Sequence, residues 1–443
     1  KEGLLMLFCR KNPFLNKIFV LSLLCFCLGS LTGFTQEEKG IKEKEPAVQK
    51  ERKGPLDPEK IYEQLELFAN AIAIVDQNYV EDVDTKTLIY GAMKGMLNSL
   101  DPHSQFMNPE AYKEMQEDTE GKFGGIGIEI TIKDNILTVI TPIVGTPAFI
   151  AGIKAGDKIV KINKKSTKNM TLMQAVKWMR GKPGSKVNLR ILRGQEKAFL
   201  DFTIERDIIK IESIKEKKII KDGIGYIRVT DFQERSGTDL FKAIKSLTKD
   251  GMKSVILDLR NNPGGLLQAA VDVSDKFIKK GNVIVSTKGR KSDQNMTFRA
   301  REEEMERCPL VVLINEGSAS AAEIVAGAVQ DWNRGLLVGV KSFGKGSVQS
   351  VLPLKDGSAL RLTTAKYFTP NGRSIQGTGI EPDITVRLPE QAQKEEDIKK
   401  KNGEDEEKDV QLEKAVSILQ NTDLYQDLMN KKKDKEKDTK QEK

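Results

Sequence analysis

Three short stretches hold the residue types that could do chemistry together. NEGSASAAEI runs from Asn315 to Ile324, RNNPGG from Arg260 to Gly265, and FGKGSVQ from Phe343 to Gln349. The first two read as strand, tight turn and helix. Small residues at a helix start aim backbone N–H groups at one spot, and the helix dipole adds positive potential there. In acyl transfer such a spot stabilises a developing oxyanion. Gly264–Gly265 and the turn Ser318 to Ala321 are therefore candidate walls of one site, with a turn serine as nucleophile.

A serine hydroxyl needs a base, and the chain has one histidine, His103. It lies far upstream in the turn DPHSQFMNPE and reads as a surface or packing residue. A neutral lysine is the alternative base. Its pKa of about 10.4 must fall by roughly 3 units, or about 4 kcal/mol of burial or like-charge repulsion. Lys345 has a setting that could do this: Leu336, Leu337, Val338 and Phe343 precede it, Gly344 and Gly346 flank it, and Val348 follows. Gln349, four residues on, would share its face and could orient the amine.

Other readings of these residues are weaker. Ser318 competes with Ser320. Ser342 and Lys345 form an S-x-x-K pair, a spacing used at helix starts, but the glycines and VQSVLPL favour a loop followed by a strand. Gly339 to Gly346 nearly matches a phosphate loop, without the Ser or Thr that would hold Mg²⁺.

The elements that must position these residues follow from periodicity. Ile61–Tyr79 and Leu88–Leu97 have apolar residues at helical spacing. From Gly124, GGIGIEI opens a run of short strands with one helix, Leu172–Met179. From Ile208 the chain alternates strand and helix: Gly225–Val229, Gly237–Leu247, Ser254–Leu259, a helix from Leu266, Leu310–Ile314, and a helix to Trp332. That βαβ rhythm implies a sheet with crossover helices. The expected segments are a signal peptide or membrane anchor over 1–33, a flexible charged linker over 34–57 and an N-terminal helical segment over 58–117. A compact domain of short strands with one helix follows over 118–206, a domain of alternating strand and helix over 207–388, and a charged, largely disordered tail over 389–443, with a helix near Ala415–Leu428.

Composition excludes several classes. The chain's 443 residues carry 72 Lys and Arg against 64 Asp and Glu, a net charge of +8 with both signs interspersed. No aromatic-basic interleaving accompanies it, so nucleic acid is not an expected partner. Cys9, Cys25 and Cys27 fall in the N-terminal apolar segment, leaving Cys308 alone, so neither an internal disulfide nor a Cys-rich metal site is expected. With one histidine, a histidine-ligated zinc is not expected either. Arg10, Lys11 and Lys17 precede the apolar run Ile18–Leu28 and then Gly29, Ser30 and Gly33, the order of an export signal. The rest of the chain is accordingly expected outside the cytoplasm, in the cell envelope: in a periplasm or on the outer face of the inner membrane.

Two resemblances sharpen the expectation. The Gly-rich loop followed by PAFIAGIKAGDKI (Pro147 to Ile159) resembles a PDZ domain. There, Gly125, Ile126, Gly127 and Ile128 would offer backbone N–H groups to a peptide carboxylate, and Leu172 and Val176 would wall its apolar pocket. More broadly, DLRNNPGGLL, NEGSASAAEI, FGKGSVQ and LRLTTAKYFTPNGRSIQGTGIEPDI resemble the carboxyl-terminal processing proteases, tail-specific serine proteases with a Ser-Lys dyad. The resemblance covers roughly residues 59–388. It implies a multidomain α/β and α+β chain: a crotonase-like βαβ protease core, an inserted PDZ domain and an N-terminal helical segment.

It further implies Ser320 as nucleophile, Lys345 as base and Gln349 as its support, with oxyanion donors at Ala321 and at Gly265 in preference to Gly264. Asp331 and Arg180 would be supporting residues, Arg180 coupling peptide binding to the active site. Ala322 stands where the family often has a third serine, which leaves the nucleophile intact. The implied substrate is the C-terminal tail of an unfolded or flexible protein, with no metal or cofactor. An adaptor protein and a homo-oligomer are partners it leaves open. Two other readings remain: a catalytically silent PDZ scaffold, and an acyl-transfer or hydratase-like enzyme on the same core.

Overall fold

The computed structural model describes residues 57–194, 198–302, 305, 307–387 and 409–441. The export segment, nearly all of the linker and residues 389–408 of the tail lie outside them. The chain divides into two units at Ile74. Helix α1 (Pro58–Asn78) begins in the first and has no buried residue. In the second unit, α2 (Thr85–Asn98), β1 (Gln105–Met107) and α3 (Pro109–Glu120) follow. Helix α3 has few apolar residues and closes the helical segment expected over 58–117, overrunning it by three residues. Its start is set by Asn108, which accepts from the Ala111 N–H, and by Pro109 in the first turn.

The next domain hangs on a two-stranded neck, β2 (Lys122–Gly125) antiparallel to β9 (Asp207–Lys210). Between them lie β3 (Ile128–Lys133), β4 (Ile136–Pro142), α4 (Pro147–Ile150), β5 (Lys158–Ile162), β6 (Lys165–Ser166), α5 (Leu172–Met179), β7 (Lys186–Arg193) and β8 (Ala198–Glu205). The sheet order is β3-β4-β5-β7-β8, with β6 pairing β5. Strand β7 shows the logic: Val187, Leu189 and Ile191 point inward and are buried, while the residues between them are exposed. They pack with Ile159, Ile162, Ala175 and Met179 in one core.

The larger sheet has order β10-β11-β12-β15-β16-β19, from Ile214–Ile219, Ile224–Val229, Ser254–Asp258, Leu310–Ile314, Leu336–Gly339 and Ile384–Thr385. All neighbours pair in parallel except β10 with β11. Its central strands β12, β15 and β16 are buried along their whole length and mostly apolar because both faces are covered. Leu257, Val312 and Leu337 face α6 (Ser236–Lys249), α7 (Leu267–Ser274) and α8 (Ala321–Asp331). A second sheet has order β1-β18-β13-β14, from β13 (Val283–Gly289), β14 (Thr297–Arg299) and β18 (Ala359–Phe368), with β17 (Ser347–Pro353) also paired to β18. The observed fold class is the one the sequence implied.

The tail differs from expectation. Residues from Val410 form α9 (Val410–Gln420) and α10 (Thr422–Gln441). Ala415, Ile418 and Leu419 of α9 are buried against Ile256, Val311 and Val338, the other face of the large sheet. Each large apolar side chain so buried contributes about 1.5–3 kcal/mol, enough to fix a helix in an otherwise charged segment. The helix expected near Ala415–Leu428 is thus present, as two helices. At its start, Asp409 caps α9 through the Leu412 N–H and receives both Nη groups of Arg260, each at 2.7 Å. Arg260 also grips the buried Asp258, so the tail is bonded to the loop that carries Gly264 and Gly265.

Candidate active site

Strand β15 delivers the chain into a turn whose hydrogen bonds are local. The Ser318 hydroxyl donates to the Leu259 carbonyl at 2.8 Å and accepts from the Asn315 N–H at 3.0 Å, and the residue is fully buried. Ser318 is therefore spent on the turn. Ser320 follows at φ 56° and ψ −113°, a left-handed backbone for a residue with a Cβ, and α8 begins at Ala321. Such a conformation stores about 1–3 kcal/mol and persists only where its surroundings enforce it.

The glycine loop supplies those surroundings. A Cβ at Gly264 (φ 103°) would lie 2.7 Å from Ser320 Cβ and 2.8 Å from the Ala319 carbonyl oxygen. The Ala319 N–H donates to the Asn262 carbonyl at 2.9 Å, joining the two loops. The Gly264 N–H is turned away to Asn262 Oδ1 at 2.9 Å. Among the described residues the N–H groups of Gly265 and Ala321 find no protein acceptor. Gly265, at φ 144°, lies so close to Phe232 that a Cβ would meet its carbonyl oxygen at 2.2 Å.

A residue absent from the sequence reading organises the rest. Glu323 is fully buried in the first turn of α8. Its Oε2 accepts from the N–H groups of Ser320 and Lys345, both at 2.8 Å. Its Oε1 accepts from the Ser342 hydroxyl at 2.6 Å and the Gly344 N–H at 2.7 Å. One carboxylate thus holds the serine turn and the lysine loop together. The S-x-x-E spacing of Ser320 and Glu323 is a helix-start signature that could have found it.

Lys345 is half-buried, and burial is the first cause of a lowered pKa; Arg361 adds like-charge repulsion, while Glu323 opposes both. Phe343, expected to help shield the amine, is 65% exposed, because the loop turns its ring outward. The Lys345 Nζ makes no hydrogen bond to Ser320. Gln349 does not reach it either: its Nε2 donates to Ser347 Oγ at 2.9 Å and stands 3.5 Å from Thr363 Oγ1. Lys345 lies in the loop before β17, which starts at Ser347, so the alternation of that strand does not carry the shared face that the spacing suggested. The Ser320 hydroxyl oxygen instead accepts from Tyr367 at 2.8 Å.

The remaining residues lie further out. Asp331, at the far end of α8, accepts from the Asn371 N–H at 2.8 Å and pairs with Arg373. Arg180, after α5, lies 3.6 Å from Glu117 of α3 and stacks its guanidinium on Phe123 at 4.2 Å, with Nε unpartnered. In the smaller domain Ile126 is buried in the core, and among the described residues the N–H groups of Ile126 and Gly127 find no protein acceptor. Gly127 (φ 75°) backs onto Thr146, whose hydroxyl bonds its carbonyl. Gly125 ends β2, and Ile128 opens β3, an edge strand. Leu172 is 40% exposed and Val176 partly exposed, so neither is spent on the core. His103 makes one backbone hydrogen bond, to Asp101, and none through its ring.

Residues 223–386 match the family model described as Peptidase family S41, 124–204 that for a PDZ domain, and 26–111 that for the activating protease CtpB N-terminal domain. The chain is 48% identical over 333 residues to a carboxy-terminal-processing protease of Bartonella bacilliformis, covering 74% of this chain and 76% of that one. It is 40% identical over 320 residues to the carboxy-terminal processing protease CtpA of Bacillus subtilis, covering 72% and 68%. Among solved structures, the photosystem II D1 C-terminal processing protease is 29% identical, covering 75% of this chain and 94% of that one, with a TM-score of 0.42.

Proposed function

The chain belongs to peptidase family S41, among the carboxy-terminal processing proteases that carry a PDZ domain, and from that premise we propose a serine endopeptidase acting through Ser320 and Lys345. The observation that carries the proposal is the buried Glu323, whose Oε2 bonds the backbone of both residues. Lys345 Nζ takes the Ser320 proton as Oγ attacks the scissile carbonyl, then donates it to the leaving amine. The N–H groups of Ala321 and Gly265 receive the oxyanion. Because Lys345 and Ser320 are not bonded to one another here, the dyad closes when substrate arrives, with Gln349 released from Ser347 to orient the amine.

The substrate tail adds along β3 as an extra strand. Its carboxylate takes the N–H groups of the loop Gly125–Ile128, and its last side chain lies against Leu172 and Val176. A path from this domain to the oxyanion loop supports coupling by Arg180: the Glu234 N–H donates to Thr119 of α3, and Phe232, two residues earlier, pairs with Gly265. Asp331 supports the site by holding the chain after β18 against α8. No described helix is long and apolar enough to cross a membrane; export to the cell envelope rests on residues 1–33. The match over 26–111 supports assembly there, as a homo-oligomer or with an adaptor.

The test is cleavage of an unstructured peptide ending in apolar residues, as free acid and as C-terminal amide. The acid is expected to be cut with a KM about tenfold lower, as for one lost charge-assisted contact of about 1.4 kcal/mol. Equal KM values would remove tail recognition from the account. No cleavage of either would favour the silent scaffold, the reading that the unbonded Lys345 Nζ favours.

A further inference from the structure

The Ser320 hydroxyl oxygen has one hydrogen-bond partner among the described residues, a tyrosine of the LRLTTAKYFTPNG run to which the motif itself assigns no role. Tyr367 lies near the end of β18, 2% exposed, its ring part of the main apolar core. Its hydroxyl donates to Ser320 Oγ at 2.8 Å. Its backbone N–H donates to the Gly346 carbonyl at 2.9 Å, and its neighbour Lys366 pairs with Ser347. One residue thus grips the nucleophile with its side chain and the lysine loop with its main chain. Burial holds the phenol well above its usual range, so it keeps its proton and is a permanent donor rather than a base.

We infer that Tyr367 is a further catalytic residue, whose hydroxyl stabilises the negative charge that develops on Ser320 Oγ during acylation and deacylation. The inference rests on Ser320 being the nucleophile. In acylation the Oγ–C bond forms, the carbonyl π pair moves to oxygen and the serine proton passes to Lys345 Nζ; the pair then returns, the C–N bond breaks, and the amine leaves with that proton. Tyr367 keeps its own proton throughout. In deacylation water adds to the ester carbon as Lys345 Nζ takes one of its protons, the Oγ–C bond breaks, its electron pair returns to Oγ, and Oγ recovers that proton from Lys345. In both steps Oγ carries more charge in the transition state than in the ground state, so a fixed donor there lowers the barrier selectively.

Tyr367→Phe removes only the hydroxyl and leaves the ring in its core. Full-length wild type, Tyr367→Phe and Ser320→Ala are compared for kcat and KM on the free-acid peptide, for the rate of labelling by a small fluorophosphonate, and for thermal unfolding. The expected result for Tyr367→Phe is a fall of about 10- to 100-fold in both kcat and labelling rate, the effect of one hydrogen bond to a charged group. Its KM and unfolding midpoint are expected to stay unchanged. Wild-type kcat and labelling would overturn the inference, and so would losses accompanied by an equal fall in thermal stability, which would make the bond structural. Ser320→Ala is expected to lose labelling; labelling that persists there would overturn the nucleophile assignment itself.

Discussion

Lys345→Ala is expected to lower kcat/KM by about 10²–10⁴-fold, the usual share of a general base, with folding unchanged. The lysine stem is half-buried while its backbone N–H is held by Glu323, so truncation deletes the amine and leaves the loop in place. Lys345→Met, which fills the same apolar path, is expected to fail as completely. Lys345→Arg is expected to fail too, because a guanidinium stays protonated. Steady-state cleavage assays with circular dichroism on each variant check this. Activity in Lys345→Met above a few per cent would give the base to another group.

Glu323→Ala is expected to have the second largest effect, and on stability as well as rate. It strips the acceptor from the N–H groups of Ser320, Gly344 and Lys345 and from the Ser342 hydroxyl. A buried donor left unpaired costs about 1–3 kcal/mol. With water entering the vacated space, a net destabilisation of at least ~3 kcal/mol is expected, with a rate loss above about 10²-fold as the serine turn and lysine loop come apart. Glu323→Gln keeps one acceptor oxygen and so satisfies only one of the two donor pairs, which places it between wild type and Ala. Urea unfolding and kcat measured on the same preparations check both. A Glu323→Gln variant with wild-type rate and stability would show that neither pair needs the carboxylate.

The sequence revealed the parts that repeat along the chain. The βαβ rhythm located the large sheet, because β12 and β15 are continuous apolar runs bounded by glycine and serine turns. The need for a base, with a single histidine, led to Lys345 without any coordinates. What stayed hidden depends on pairings between distant residues. Tyr367 reads as a strand aromatic until β18 is laid beside β17. Glu323 reads as one acidic residue among many until the loop of Ser342 to Lys345 folds over it. Gln349 was placed beside Lys345 by counting residues along one element, and Lys345 lies in the loop before that element begins. The apolar patch Ala415–Leu428 marked a helix in the charged tail, but not the sheet face it packs on.

The central claim is that a half-buried lysine, rather than the one histidine, takes the serine proton. The most direct test is the pH dependence of kcat/KM for wild type, Arg361→Ala and His103→Ala. The rate should rise as Lys345 loses its proton, through a midpoint below the ordinary lysine value of about 10.4, because burial and Arg361 disfavour the ammonium form. Removing Arg361 takes away like-charge repulsion, so the midpoint should move up and the rate at a given pH on the limb should fall. His103→Ala should leave the profile where it was. A midpoint near 6.5 that disappears in His103→Ala, or a limb indifferent to Arg361, would contradict the account.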